Sequence, residues 1–302
     1  MKLNLEDILE IISAGECHYP NPHLVIDRFM PIQSALPNAA SWINSSSVEA
    51  VSRVQASGAS LIVAEQNFPI NKTGLQSKTF ILCENPRLEF ARLVAAFKKK
   101  SQTWNIHPST LIHPDAEISD QASIGPHCII GKVRIGKDTI IHGHCHIHDD
   151  VTIGSGVTIH AHTCIGSDGF SFERNKIGEL EKFPHIGICV IEDNVEIYPF
   201  ANIDRGTLGE VRIGQGSKID HHAHVGHNCT VGRNSIITAG VVMCGGSSVG
   251  DETWIGVHST IKDGISVGSR AFIGLHSLVI KDVPEGECWV GAPARFLRKH
   301  PK

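Results

Sequence analysis

Beyond about residue 110 the chain places an aliphatic side chain at every sixth position. From Ile213 the step runs through Ile219, Val225, Val231, Ile237, Met243, Val249, Ile255, Ile261, Val267 and Ile273 to Val279 without meeting a polar residue. Upstream it takes in Ile112, Ile118, Ile124 and Ile130 and then, after a single five-residue step, Ile135, Ile141, Ile147, Ile153, Ile159 and Ile165. Ile191, Ile197 and Ile203 form a third run. Glycine follows many of these positions, as at Gly125, Gly154, Gly226 and Gly256, and supplies permissive backbone dihedrals where a turn is needed. A six-residue aliphatic period is the pattern of short parallel strands wound three to a coil, each strand filling a shared interior with its aliphatic side chain. The expectation is a mainly β fold, a left-handed parallel β-helix over residues 109–285, with roughly eight coils.

Two interruptions break the period, at about 167–186 and around 204–210. A solenoid carries its insertions as loops on the outside, often on the binding face. The apolar pair Phe170 and Phe172 in the first loop suggests contact with a substrate or a neighbouring subunit. Residues 1–100 lack the period. There Leu3, Leu5, Ile8, Leu9 and Ile12 make a helical face, Ala59–Ala64 and Thr79–Leu82 read as short buried strands, and Pro86 opens a helix at its first position. This predicts a small α/β domain, a polar linker at 101–108, and a short C-terminal tail at 286–302.

Composition changes the picture at a few points. Aromatics are only 6% of residues, as a narrow stacked interior of Ile and Val requires. With 27 basic against 31 acidic side chains the formal charge is −4, which argues against nucleic acid as a partner. No apolar stretch reaches the length of a transmembrane helix, and acids inside the periodicity of the N-terminus suit an amphipathic helix rather than a signal peptide. The nine cysteines include no C-x-x-C pair and fit reduced thiols, hence a cytoplasmic protein.

The 19 histidines need a separate account. Residues 18 apart lie on adjacent coils, about 4.8 Å apart in one column. His142/His160, His144/His162 and His222/Gly240/His258/His276 therefore stack, and two stacked imidazoles do not make a metal site. No metal and no bound cofactor is expected. His227 differs. It follows the interior Val225 by two residues, the next coil holds Gly245 in the same column, and Asp220 lies seven residues earlier. An imidazole oriented by a carboxylate beside an exposed glycine amide has the parts for acyl transfer, a base for the attacking amine and a donor for the oxyanion. The alternative is a plain surface histidine.

Three stretches, Ser167-Asp-Gly-Phe-Ser171, Asn202-Ile-Asp-Arg-Gly-Thr207 and Ile219-Asp220 leading to Gly226-His227-Asn228, resemble the UDP-3-O-acylglucosamine N-acyltransferases of lipid A biosynthesis. Ala35-Leu-Pro-Asn-Ala-Ala-Ser-Trp-Ile-Asn44 and Asn85–Arg92 resemble that family's uridine-binding domain. The resemblance implies His227 as general base, Asp220 as its orienting partner and Gly245 as oxyanion donor. It also implies that Trp42 stacks on uracil, with Asn44, Asp168, Phe170 and Phe172 as further substrate contacts, and that the protein works as a homotrimer on a UDP-aminosugar with acyl carrier protein as donor. Val290-Gly-Ala-Pro-Ala-Arg295 resembles instead the hexapeptide sugar acetyltransferases, whose donor is acetyl-CoA. An acyl-CoA-dependent N-acyltransferase for a surface polysaccharide therefore stays open, as does a non-enzymatic scaffold related to γ-class carbonic anhydrases.

Overall fold

In a computed structural model of the chain, residues 2–13, 15–44, 47–72, 74–98 and 105–300 are described. The chain divides into two compact units, 1–102 and 103–302. Residues 101–104 of the expected linker lie outside the described residues.

In the first unit five strands order as Glu16–His18, Thr79–Cys83, Leu61–Glu65, Ala39–Ile43 and Arg28–Phe29. The first pairing is antiparallel and the other three are parallel. Helix α1 (Leu5–Ile11) begins where Asn4 and Asp7 cap each other, each side chain accepting from the other's backbone N–H at 2.9 Å. The apolar residues of the sheet divide between two clusters. Ala40, Leu61, Val63 and Ile81 pack with Ile8 of α1 and Leu93 of α3 (Pro86–Lys98). Ile43, Ile62, Phe80 and Leu82 pack with Ala50, Val51 and Val54 of α2 (Val48–Ala56). Alternation along each strand thus sends one set of side chains to each helical layer.

In the second unit three sheets of ten, nine and eight strands, parallel except for the last strand of the first, form the faces of a left-handed β-helix. All twelve residues from Ile213 to Val279 on the six-residue step are at most 2% exposed. Register is fixed by the period: Val225 pairs with Met243, Met243 with Ile261 and Ile261 with Val279. The first coil is incompletely covered, with Ile112 and Ile118 half-buried.

A second buried column lies two residues before each aliphatic one and holds small residues, among them Thr139, Ser217, Ser235, Thr253 and Ser259. Their hydroxyls stitch successive coils. Ser235 Oγ donates to the Gly250 carbonyl at 2.7 Å and accepts from Thr253 N–H at 3.0 Å, and Ser217 and Ser259 repeat the pattern. Turn groups that a dry interior would orphan are satisfied in this way.

The histidine columns are ring ladders. His127, His144, His162, Phe200 and His222 stack with centroids 4.9 to 5.1 Å apart, and His258 stacks on His276 at 5.2 Å. Each of these residues has a positive φ, between 51° and 63°, a conformation that histidine tolerates better than most side chains. The final segment is not a free tail. Glu287–Val290 extends the ten-stranded sheet and Arg295–Lys299 folds back on it antiparallel.

Candidate active site

The two interruptions of the period meet at one corner of the β-helix. The first forms a short antiparallel hairpin, Phe172–Arg174 with Leu180–Lys182, and returns through Phe183–Gly187. The second runs from Asp204 to Glu210. They are joined by backbone bonds, Ile186 N–H to Thr207 O and Gly187 N–H to Gly206 O, both 2.9 Å. The approach demands glycine. A Cβ on Gly187 would lie 2.2 Å from the Gly209 carbonyl oxygen, and one on Gly206 would lie 2.4 Å from the same atom.

His227 stands at this corner, two residues beyond the strand His224–Val225. Its Nδ1 lies 3.1 Å from Asn228 Oδ1 and 3.3 Å from the Thr207 hydroxyl. Asn228 Oδ1 also accepts from Thr207 N–H at 3.0 Å, which identifies that atom as the amide oxygen. An amide oxygen can only accept, so Nδ1 carries a proton, and in the neutral ring Nε2 is left with its lone pair. A neutral imidazole held in this tautomer is a proton acceptor.

On one side the ring lies over Gly245, where a Cβ would be 2.4 Å from both Cε1 and Nε2 of His227. Gly246 N–H bonds back to the His227 carbonyl at 2.8 Å, while no described residue accepts from Gly245 N–H. A free backbone donor beside an imidazole lone pair is the pairing that transfer to a carbonyl requires. On the other side a Cβ on Gly169 would touch His227 Cβ and Cδ2 at 2.9 and 3.0 Å and His185 Nε2 at 2.9 Å.

Asp220 does not orient His227. Its Oδ1 pairs with His221 Nδ1 at 2.6 Å and accepts His221 N–H at 2.7 Å. Partial burial pushes the carboxyl up, but the bonds from His221 outweigh it and hold Asp220 below the usual aspartate range. Sequence spacing puts Asp220 one turn before His227, on a different corner, whereas the partner that fixes the ring is the adjacent Asn228. Asp204 is the carboxylate buried near the base, 3% exposed, with Asn202 Nδ2 donating to it at 2.7 Å and Ser167 Oγ at 3.3 Å. Burial raises its carboxyl above the usual range, against the opposing pull of His224, Asn202, Ser167 and His227.

The remaining expected contacts fall in two places. In the first loop Asp168 is paired with Lys182, whose ammonium lowers its carboxyl, and Phe170 and Phe172 are exposed with their rings 5.1 Å apart. In the first unit Trp42 and Asn44 line one cleft of about 330 Å³ together with Pro31, Ile32, Gln33, Ser41, Ile43 and Arg53. Ser41 Oγ is buried there with no partner among the described residues. Residues that the sequence reading missed are Thr207, Asn228, Gly169 and His185. Asn228 and Thr207 belong to the very motifs that carry the resemblance, but their role depends on two loops meeting, which periodicity does not show. Among the described residues no group of three or more His, Cys, Asp or Glu is placed to hold a metal ion.

Comparison with known proteins agrees with this fold. A family model described as bacterial transferase hexapeptide (six repeats) matches residues 132–167 and 210–245. The chain is similar to UDP-3-O-acylglucosamine N-acyltransferases from two strains of Helicobacter pylori, 31% and 32% identical, over 96% of this chain and 89% of theirs. A Coxiella burnetii protein of the same description is 32% identical over 56% of this chain and 55% of its own. Among solved structures, the Francisella novicida UDP-N-acetylglucosamine acyltransferase superposes with a TM-score of 0.59 at 30% identity, over 64% of this chain and 70% of its own. The repeat, the fold and the end-to-end likeness place this chain in the UDP-3-O-acylglucosamine N-acyltransferase family of acyltransferases.

Proposed function

We propose that the protein transfers an acyl group, a 3-hydroxyacyl chain, from a carrier thioester to the 2-amino group of a UDP-linked 3-O-acylglucosamine, the N-acylation step of lipid A assembly. The observation that carries this reading is the His227 corner, where a lone pair at Nε2 stands beside the free N–H of Gly245. The amine attacks the thioester carbonyl and forms the C–N bond, and His227 Nε2 takes a proton from that nitrogen. Gly245 N–H donates to the oxyanion as the carbonyl π electrons move onto oxygen. Collapse of the intermediate breaks the C–S bond, and the His227 imidazolium returns the proton to the departing thiolate. No acyl-enzyme is formed.

The cleft around Trp42 and Asn44 is suited to the uridine. An indole face gives a base a stacking surface. Exposed apolar side chains near the His227 corner, Phe170 and Leu208, support a homotrimer in which a second copy closes over the acyl chain. No helix among the described residues is long and apolar enough to cross a membrane, and the nine cysteines are free thiols. Free thiols fit a reducing compartment such as the cytoplasm.

The donor is tested by assaying purified protein with 3-hydroxyacyl carrier protein, acetyl-CoA and hydroxybutyryl-CoA against UDP-3-O-acylglucosamine and other UDP-aminosugars. Amide formation with the carrier-protein donor and the 3-O-acylated acceptor supports the proposal. Turnover only from acyl-CoA, onto an aminosugar without the 3-O-acyl chain, replaces it with the surface-polysaccharide reading.

A further inference from the structure

His185 is 4% exposed, and its Nε2 is buried with no hydrogen-bond partner among the described residues. Its Nδ1 lies 3.1 Å from the Phe183 carbonyl oxygen. A carbonyl can only accept, so Nδ1–H donates and the buried Nε2 of the neutral ring is a bare lone pair. Leaving such a group unpaired is costly, and a buried orphan calls for an explanation. The ring it faces is that of the base. The His185 and His227 centroids are 5.3 Å apart with their planes at 67°, edge to face, and Gly169 is fitted between them so closely that a single added methyl group would meet both.

We propose that His185 is a positioning residue for His227, an acceptor built into the first loop to face the base as it becomes an imidazolium. The proposal rests on His227 being the base. With Asn228 and Thr207 holding Nδ1 and Gly245 under Nε2, the Gly169–His185 wall closes the remaining side of the imidazole, so its lone pair can aim only at incoming substrate. During transfer His227 gains a positive charge, which a bare nitrogen lone pair on the neighbouring ring stabilises electrostatically at short range. Other charged or titratable groups around the pair are the buried Asp204, His224 beside it, and the Asp168–Lys182 pair on the loop. None of these is hydrogen-bonded to His185 Nε2.

The test compares two side chains of similar size, one with an acceptor and one without. His185→Gln retains an amide oxygen, whereas His185→Met fills the space with no comparable acceptor. With saturating acyl donor, His185→Met is expected to lower kcat about tenfold, a fraction of what a general base supplies, with KM for the UDP-sugar within about twofold of the parent. His185→Gln recovers most of the loss. In a His227→Ala background the same His185→Met change has no further effect, because the residue acts through the base. Equal rates for the Gln and Met variants, whether high or low, overturn the proposal by reducing His185 to packing. So does an equal His185→Met loss in both backgrounds. If His227→Ala alone keeps a near-parental rate, the base assignment itself fails, and that outcome is separate from the first two.

Discussion

At the scale of single residues the site is a set of close approaches around one imidazole. Gly245→Ala would force a methyl group to within 2.4 Å of the His227 ring, against backbone that the neighbouring coils fix. Loss of kcat by at least about a hundredfold is expected, the cost of misplacing a base and an oxyanion donor together, with an unchanged melting temperature. Asn228→Ala removes the oxygen that fixes the tautomer and is expected to lower kcat more than Asp220→Asn, since Asp220 is engaged with His221. Steady-state kinetics on the two variants side by side check the order. The closeness of His227 and Gly245 is legible in the sequence because both lie on one 18-residue column. Asp220 pairs with His221 instead of His227, because proximity along the chain is not proximity in space where a coil turns a corner within six residues. Asn228 and Thr207 escaped because a polar residue in a turn carries no sign of what it touches until two insertions are folded against each other.

At the scale of elements the aliphatic column was read without error, since a period that persists through twelve strands leaves one register in which every branched side chain points inward. The hydroxyl column two residues earlier was not read. Serine and threonine at those positions break an apolar pattern, and only the structure shows them bonding to turn carbonyls one coil on. Ser235→Ala would leave the Gly250 carbonyl and Thr253 N–H without their partner, and destabilisation of about 1–3 kcal/mol is expected by chemical denaturation. The first insertion is a separate case. Its apolar residues Phe170 and Phe172 are exposed, whereas the residues packed against the base are Gly169, inside the Ser167–Ser171 motif, and His185. Size and hydrophobicity mark a loop as unusual, but the contact is made by the smallest residue and by a polar one.

At the scale of the whole molecule the chain couples a repetitive scaffold to a small α/β unit with its own cleft. The periodicity of that unit does not show helix Val48–Ala56, whose apolar face rests on three residues of modest size, nor the strands Glu16–His18, Arg28–Phe29 and Ala39–Ile43. If the cleft binds uridine, Trp42→Ala raises KM for the UDP-sugar at least about tenfold, the worth of one good aromatic stack, with kcat nearly unchanged. Titrating UMP into the parent and the variant while following tryptophan fluorescence checks this independently of turnover, because the variant should lose the response. The central claim is that His227 serves as the base in acyl transfer to an amine. It is tested most directly by kcat/KM of His227→Ala on UDP-3-O-acylglucosamine with 3-hydroxyacyl carrier protein, beside the parent and with the melting temperature of each. The account predicts a fall of at least about a thousandfold with unchanged melting, and a variant that turns over at a near-parental rate would contradict it.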